Sequence, residues 1–267
     1  VLNPLPKFVL PDYQKIYCNP ESTFMVLDVE TSNKDKGAAV DEENHLVLAC
    51  WELIGPNGHI ETKYHFGDEW DQKELLADLG RVDFVVAHHA KFELQWLSRC
   101  GVNLRKVLPF CTMLGAWVLD GNLQKPRNLD AVAARYGLGS KQSLVKSLIQ
   151  AGVCPSSIPQ DWLLPYCQQD VALAREVFLA QRTELDRNNL LHLVHTRNLT
   201  CAMLADVEFN GMTLDPQAVQ KEYNDTIREA NDIKRQLTEL VGDVNLDSPK
   251  QLAAFLYETL GFEEPRG

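Results

Sequence analysis

The stretch FMVLDVET, residues 24–31, constrains this chain more than any other. It is apolar on both alternating faces until its end, and a strand of that kind must be covered by packed layers above and below. It belongs at the centre of an α/β sheet. Its last residues include two acids two positions apart, Asp28 and Glu30, so both carboxylates project from one face at the strand end.

The flanking sequence supplies the rest of such a sheet. HLVLACWELI and HIETKYHF, separated by the turn formers of GPNG, read as a hairpin. WDQKELLADLG is a helix closed by glycine, DFVVAH a buried strand, and AKFELQWLSRCG a second glycine-stopped helix. A short strand around VLPFCTM runs into helical LGAWVLDG, and LDAVAARYGLG and QSLVKSLIQAG add short helices. LPYCQQDVALAREVFLAQRTELDRNN reads as a long amphipathic helix with Pro165 in its first turn. The fold class is therefore α/β, one mixed five-stranded sheet with flanking helices.

From about residue 190 the strand signal disappears. Val219, Tyr223, Ile227, Ala230, Leu237 and Leu240 recur at near-heptad spacing, which predicts a long helix packed against another. SPKQLAAFLYETLG has Ser and Gln at capping-box spacing and Pro at the first helical position. The carboxyl-terminal part reads as all-helical.

Composition narrows the function. Hydrophobic residues make up 45% and charged residues 24%, with no apolar run near the ~20 residues of a membrane helix, so no membrane partner is expected. Seven scattered cysteines without CxxC spacing offer neither a zinc site nor a disulfide framework, and a reducing cytoplasm is expected. A net charge of −11 means that local groups or metal ions must hold any nucleic acid. The start, VLNPLPKF, has neither an initiator Met nor a signal sequence and reads as part of a longer chain.

Two further acids can join Asp28 and Glu30. Tyr166 and Asp170 are four apart and share a helix face, and Glu93 lies one turn inside the helix after DFVVAH. Carboxylates from separate elements at one sheet edge form the hard oxygen set that Mg²⁺ and Mn²⁺ take. Two such ions ~3.5–4 Å apart can serve the attacking and departing oxygens of a phosphodiester.

In order and spacing, LDVET, AHHAKFELQWL and YCQQD resemble the three exonuclease motifs of the DEDD nuclease superfamily, in its tyrosine-containing branch. The resemblance implies an RNase H-like fold and 3′→5′ exonuclease activity with two Mg²⁺ or Mn²⁺ ions. It casts Asp28, Glu30 and Asp170 as direct metal ligands and Glu93 as completing the second ion's surroundings. Tyr166 would orient the attacking water. Thr31 would lie near the terminal nucleotide, and His89, where the family usually has Asn, would bind substrate. PFCTMLGAWVLDG and NLDAVAARYGLG are further similar to segments of the proofreading domain of family A DNA polymerases, and LLHLVHTRNLTCAMLADVEFNGMTLD to the start of their thumb.

That narrower resemblance implies an exonuclease domain over residues 1–189 and a partial thumb over 190–267. The polymerase palm and fingers would be partners rather than parts of these 267 residues, from which no polymerisation is expected. The substrate would be DNA with a single-stranded or frayed 3′ end, in a bacterial cytoplasm, with a phage-encoded parent as the other source. Three positions depart from the family: His89, Cys111 where Asp often precedes Thr, and Glu93 where Asp is usual. Glu adds ~1.5 Å of reach. The competing expectation is an impaired module that binds single-stranded DNA or supports a polymerase.

Overall fold

The computed structural model describes residues 16–67, 72–121, 123–139 and 144–263. The segment VLNPLPKF and the start of the helix expected from Gln142 lie outside them. The strands are β1 (Phe24–Thr31), β2 (Leu46–Ile54), β3 (Ile60–Phe66), β4 (Phe84–Ala87) and β5 (Pro109–Cys111). The helices are α1 (Gln72–Leu79), α2 (Ala90–Arg99), α3 (Thr112–Asp120), α4 (Leu129–Arg135), α5 (Leu144–Gln150), α6 (Gln160–Arg187), α7 (Leu191–Asn210), α8 (Pro216–Val241) and α9 (Pro249–Ala253).

The sheet order is β3-β2-β1-β4-β5. β1 is central, as its two-sided apolar pattern requires, antiparallel to β2 and parallel to β4. The predicted hairpin is present, β2 and β3 being joined through a 3-10 turn at Pro56–Gly58. Phe24 and Val26 share one core with Leu48, Cys50 and the α6 residues Leu163, Cys167, Val171 and Phe178. Met25, Leu27 and Val29 share the other with Trp51, with Leu75 of α1 and with Leu94 and Leu97 of α2. Each of the large side chains fully withdrawn from water there stabilises the fold by roughly 1.5–3 kcal/mol.

The long helix begins earlier than its sequence predicts. α6 starts at Gln160 with Pro159 as its cap, so Pro165 lies inside the helix rather than in its first turn. The amides of Trp162 and Leu163 both bond the Pro159 carbonyl, and fully buried Leu163 pins this opening turn to the core. Tertiary packing thus sets the boundary despite a proline that gives up one helical hydrogen bond.

The chain divides into two compact units after Gly211, not at residue 189/190. α7 belongs with the sheet: Asn198 Oδ1 accepts the Cys111 amide at 3.0 Å, His195 Nδ1 lies 3.2 Å from the Tyr17 hydroxyl, and Glu208 pairs with Lys91 at 2.8 Å. Helical periodicity alone did not separate a helix packed on the sheet from one beyond it.

The second unit holds α8 and α9. Asp215 caps α8 through the amides of Gln217 and Ala218, and Ser248 accepts the Gln251 amide at the start of α9. The apolar stripe of α8 is not buried: Tyr223, Ile227 and Leu240 are all exposed. The expected partner helix is not supplied by this unit, whose other described helical segment is only α9 and the π-turn Ala254–Thr259.

Candidate active site

Strand alternation places Asp28 and Glu30 on the α6 side of β1, the same side as Phe24 and Val26. β1 and β4 run parallel, and the chain leaves β4 through His88 and His89 into α2. Their carboxyl ends therefore open on one edge, the edge at which open α/β sheets bind ligands. Asp28, His88, His89, Glu93, Tyr166 and Asp170 line one cleft there, of about 240 Å³, together with Asn128, Leu129, Asp130 and Lys146.

The negative charges crowd one another. Burial, and then the carboxylates of Asp170, Glu30 and Glu93, push the Asp28 carboxyl well above its usual range. Glu93 is only 5% exposed, and burial raises it to about 7. Its Oε2 has no hydrogen-bond partner among the described residues. An orphaned buried carboxylate oxygen is costly. Tyr166 hydrogen-bonds Asp170, and burial together with Asp170, Glu30 and Asp28 keeps its phenol protonated far above neutrality.

Among the substrate-binding candidates, His89 stands at the cleft with its ring stacked on Phe92 at 6.3 Å between centroids. Thr31 is not among the residues lining the cleft. It is 7% exposed, and its hydroxyl donates to the Ser32 carbonyl at 3.0 Å. Beside it Gly37 has φ 76°, and a Cβ there would meet Thr31 Oγ1 at 2.3 Å. The Gly37 carbonyl accepts Trp96 Nε1 at 3.0 Å, which ties this loop to α2.

Further residues surround these carboxylates, and Cys167 was not singled out from sequence. Cys167, next to Tyr166, donates from Sγ to Asp28 Oδ2 at 3.4 Å, and one ligand atom each of Asp28, Glu30 and Cys167 lie within 4.8 Å of one another. Its helical spacing with Leu163, Val171 and Ala174 marks only a core position, which it also fills. His88 bridges Thr112 Oγ1 and the Arg127 carbonyl, each at 2.8 Å. Asn128 caps α4, and Asp130 pairs with Lys146. Cys111 is a buried thiol, donating to the His88 carbonyl at 3.2 Å and raised to about 11 by burial.

No family model matches the chain. Bacterial proteins named DNA polymerase I are similar to most of it; that of Synechocystis sp. is 27% identical over 250 residues, 90% of this chain. Its homologues are DNA polymerase I proteins. The chain spans about a fifth to two fifths of the length of these DNA polymerase I relatives. Among solved structures, the POL domain of Pol1 from M. smegmatis, in complex with DNA primer-template and dNTP, superposes with a TM-score of 0.62 at 21% identity over 97% of this chain and 41% of that one. The Brucella melitensis protein NrnC with bound Mg²⁺ superposes with a TM-score of 0.50 at 15% identity, covering 76% of this chain and 90% of that one. The fold is RNase H-like, and the chain is similar in sequence to part of DNA polymerase I.

Proposed function

We propose that the chain is a metal-dependent 3′→5′ exonuclease module that removes nucleoside monophosphates from DNA 3′ ends, as the proofreading part of a family A DNA polymerase. The observation that carries this reading is the convergence of Asp28, Glu93, Tyr166 and Asp170 on one cleft, with an unpartnered carboxylate oxygen among them. Such an electrostatic arrangement fits divalent cations, and a solved structure of similar fold, NrnC, is described with Mg²⁺ bound. Asp28, Glu30, Asp170 and Glu93 would hold two Mg²⁺ or Mn²⁺ ions. Bound there, such ions would supply Lewis-acid stabilisation of charge on the attacking and departing oxygens.

The protein's own groups do the rest. Tyr166 stays a neutral phenol, anchored by Asp170, and orients a water for in-line attack on the terminal phosphorus. As the water oxygen bonds to phosphorus and gives up a proton to solvent, the bond to the 3′ oxygen of the penultimate nucleotide breaks, that oxygen takes up a proton from solvent to become a hydroxyl, and a nucleoside 5′-monophosphate departs. His89, stacked on Phe92, presents a flat ring at the cleft mouth for a splayed terminal base.

The test is digestion of 3′-labelled and 5′-labelled oligonucleotides with Mg²⁺, Mn²⁺ or EDTA. Labelled mononucleotide should appear at once from the 3′ label and a shortening ladder from the 5′ label, both abolished by EDTA and by Asp28→Ala with Glu30→Ala. Wild-type rates in that double variant would overturn the assignment.

A further inference from the structure

Cys167, fully buried behind the cleft with the Cys50 thiol against it, places a soft donor beside the hard ligands Asp28 and Glu30. Its Sγ lies 3.4 Å from Asp28 Oδ2 and 3.7 Å from the Asp28 carbonyl oxygen. A ligand atom from each of Asp28, Glu30 and Cys167 falls within 4.8 Å of the other two. Around a tetrahedral zinc, with bonds of about 2.0–2.3 Å, ligand atoms are roughly 3.3–3.8 Å apart. The sulfur–carboxylate pair is already at that spacing, and the remaining gaps close with about 1 Å of side-chain movement. A second observation points to a cation beside Asp28: Glu93, 5% exposed, lines the cleft with Asp28, raises the Asp28 carboxyl by its charge, and has an Oε2 with no partner among the described residues.

We propose that Cys167, with Asp28 and Glu30, forms a binding site for a soft divalent cation such as Zn²⁺ or Cd²⁺. This inference shares its location with the exonuclease site but not its chemistry. Mg²⁺ has no use for sulfur, and with it Cys167 remains a thiol that donates to Asp28. A thiophilic ion takes the sulfur as thiolate: the Sγ–H bond breaks, an Sγ–metal bond forms, and one proton is released to solvent. No electron is transferred. Soft ions then compete with the hard ions for Asp28 and Glu30, and the cysteine sets which cation the centre retains.

Cadmium titration of the metal-free chain, followed by the ultraviolet thiolate-to-cadmium charge-transfer band, tests this. The wild type should develop the band at about one equivalent of Cd²⁺ with release of about one proton. Cys167→Ser, which keeps a hydrogen-bond donor beside Asp28 but offers no soft ligand, should lose the band while keeping its circular dichroism spectrum. Asp28→Asn should weaken Cd²⁺ binding at least tenfold, and Cys154→Ala, at a thiol outside the cleft, should leave it unchanged. A band that persists at full amplitude in Cys167→Ser, or wild-type affinity in Asp28→Asn, overturns the proposal. The band is read without DNA, so an inactive wild type that shows it would reject the exonuclease reading and leave the soft-metal site standing.

Discussion

His88 and Arg127 are joined by a hydrogen bond of 2.8 Å between the imidazole Nε2 and the Arg127 carbonyl oxygen. A carbonyl only accepts, so Nε2 carries the proton and Nδ1 accepts from the Thr112 hydroxyl, 2.8 Å away. Burial pulls His88 down to about 4, which keeps this single tautomer at neutral pH. The ring thereby fastens the segment preceding α4 to the end of β4. His88→Leu should cost about 1–3 kcal/mol, because two polar groups lose a partner. In oligonucleotide kinetics it should raise KM more than it lowers kcat, since Asn128 and Asp130 line the cleft without belonging to the carboxylate set.

Glu93 should leave a signature in the pH dependence of stability. Its folded pKa, about 7, lies above the ordinary 4.5, so between those values the folded state holds a proton that the unfolded state has lost. Its contribution is fully present below about pH 4.5 and is lost as pH rises through about 7. Denaturant titrations of the metal-free wild type and Glu93→Gln should therefore diverge over that interval. The wild type should lose on the order of 1–3 kcal/mol relative to the variant as pH rises.

Magnesium should reverse that loss. At pH 8, with the carboxylates driven to ionise beside one another, Mg²⁺ should raise the thermal midpoint of the wild type, the added stability growing with the logarithm of its concentration to about 2.7 kcal/mol at a hundredfold excess over Kd. Asp28→Asn should show little or none of this shift. Equal shifts in both proteins would place the ion elsewhere.

The length of Glu93 should matter more than its charge alone. Its buried carboxylate faces the cleft from the first turn of α2, and Asp would draw the charge back by ~1.5 Å. Glu93→Asp should then lower the Mg²⁺-dependent rate of mononucleotide release, and Glu93→Ala should lower it further, by roughly 10–100-fold. A faster Glu93→Asp enzyme would show instead that the longer side chain impairs the site.

Asn198 offers a control that does not line the cleft. Its side-chain oxygen accepts the buried Cys111 amide, so Asn198→Ala should destabilise by about 1–3 kcal/mol, measured by urea denaturation. Mg²⁺-dependent turnover per folded molecule should stay close to wild type.

The sheet and much of the candidate site were readable from sequence because both follow from strand alternation and helical spacing. FMVLDVET specified a doubly covered strand and two carboxylates on one face, and the four-residue step from Tyr166 to Asp170 specified a shared helix face. What escaped depends on packing between distant segments. The start of α6 is set by buried Leu163 rather than by Pro165, and α7 joins the sheet unit through Asn198, His195 and Glu208. Cys167 was hidden by its own regularity, since a residue at core spacing announces only that it is buried.

The register of β1 against β2 has one further consequence. Phe24 and Val26 point to the same side as Asp28 and Glu30, and Asp28 is paired with Cys50 before the ladder shifts between Glu30 and Thr31. A slip of one residue would send the acids to the opposite face and bring Met25 and Leu27 into the wrong core. Misregistered chains are thus selected against twice, by packing and by chemistry, and any molecule that has acquired its native sheet already has its carboxylates aimed. In a population of refolded molecules, the active fraction and the correctly registered fraction should be the same number.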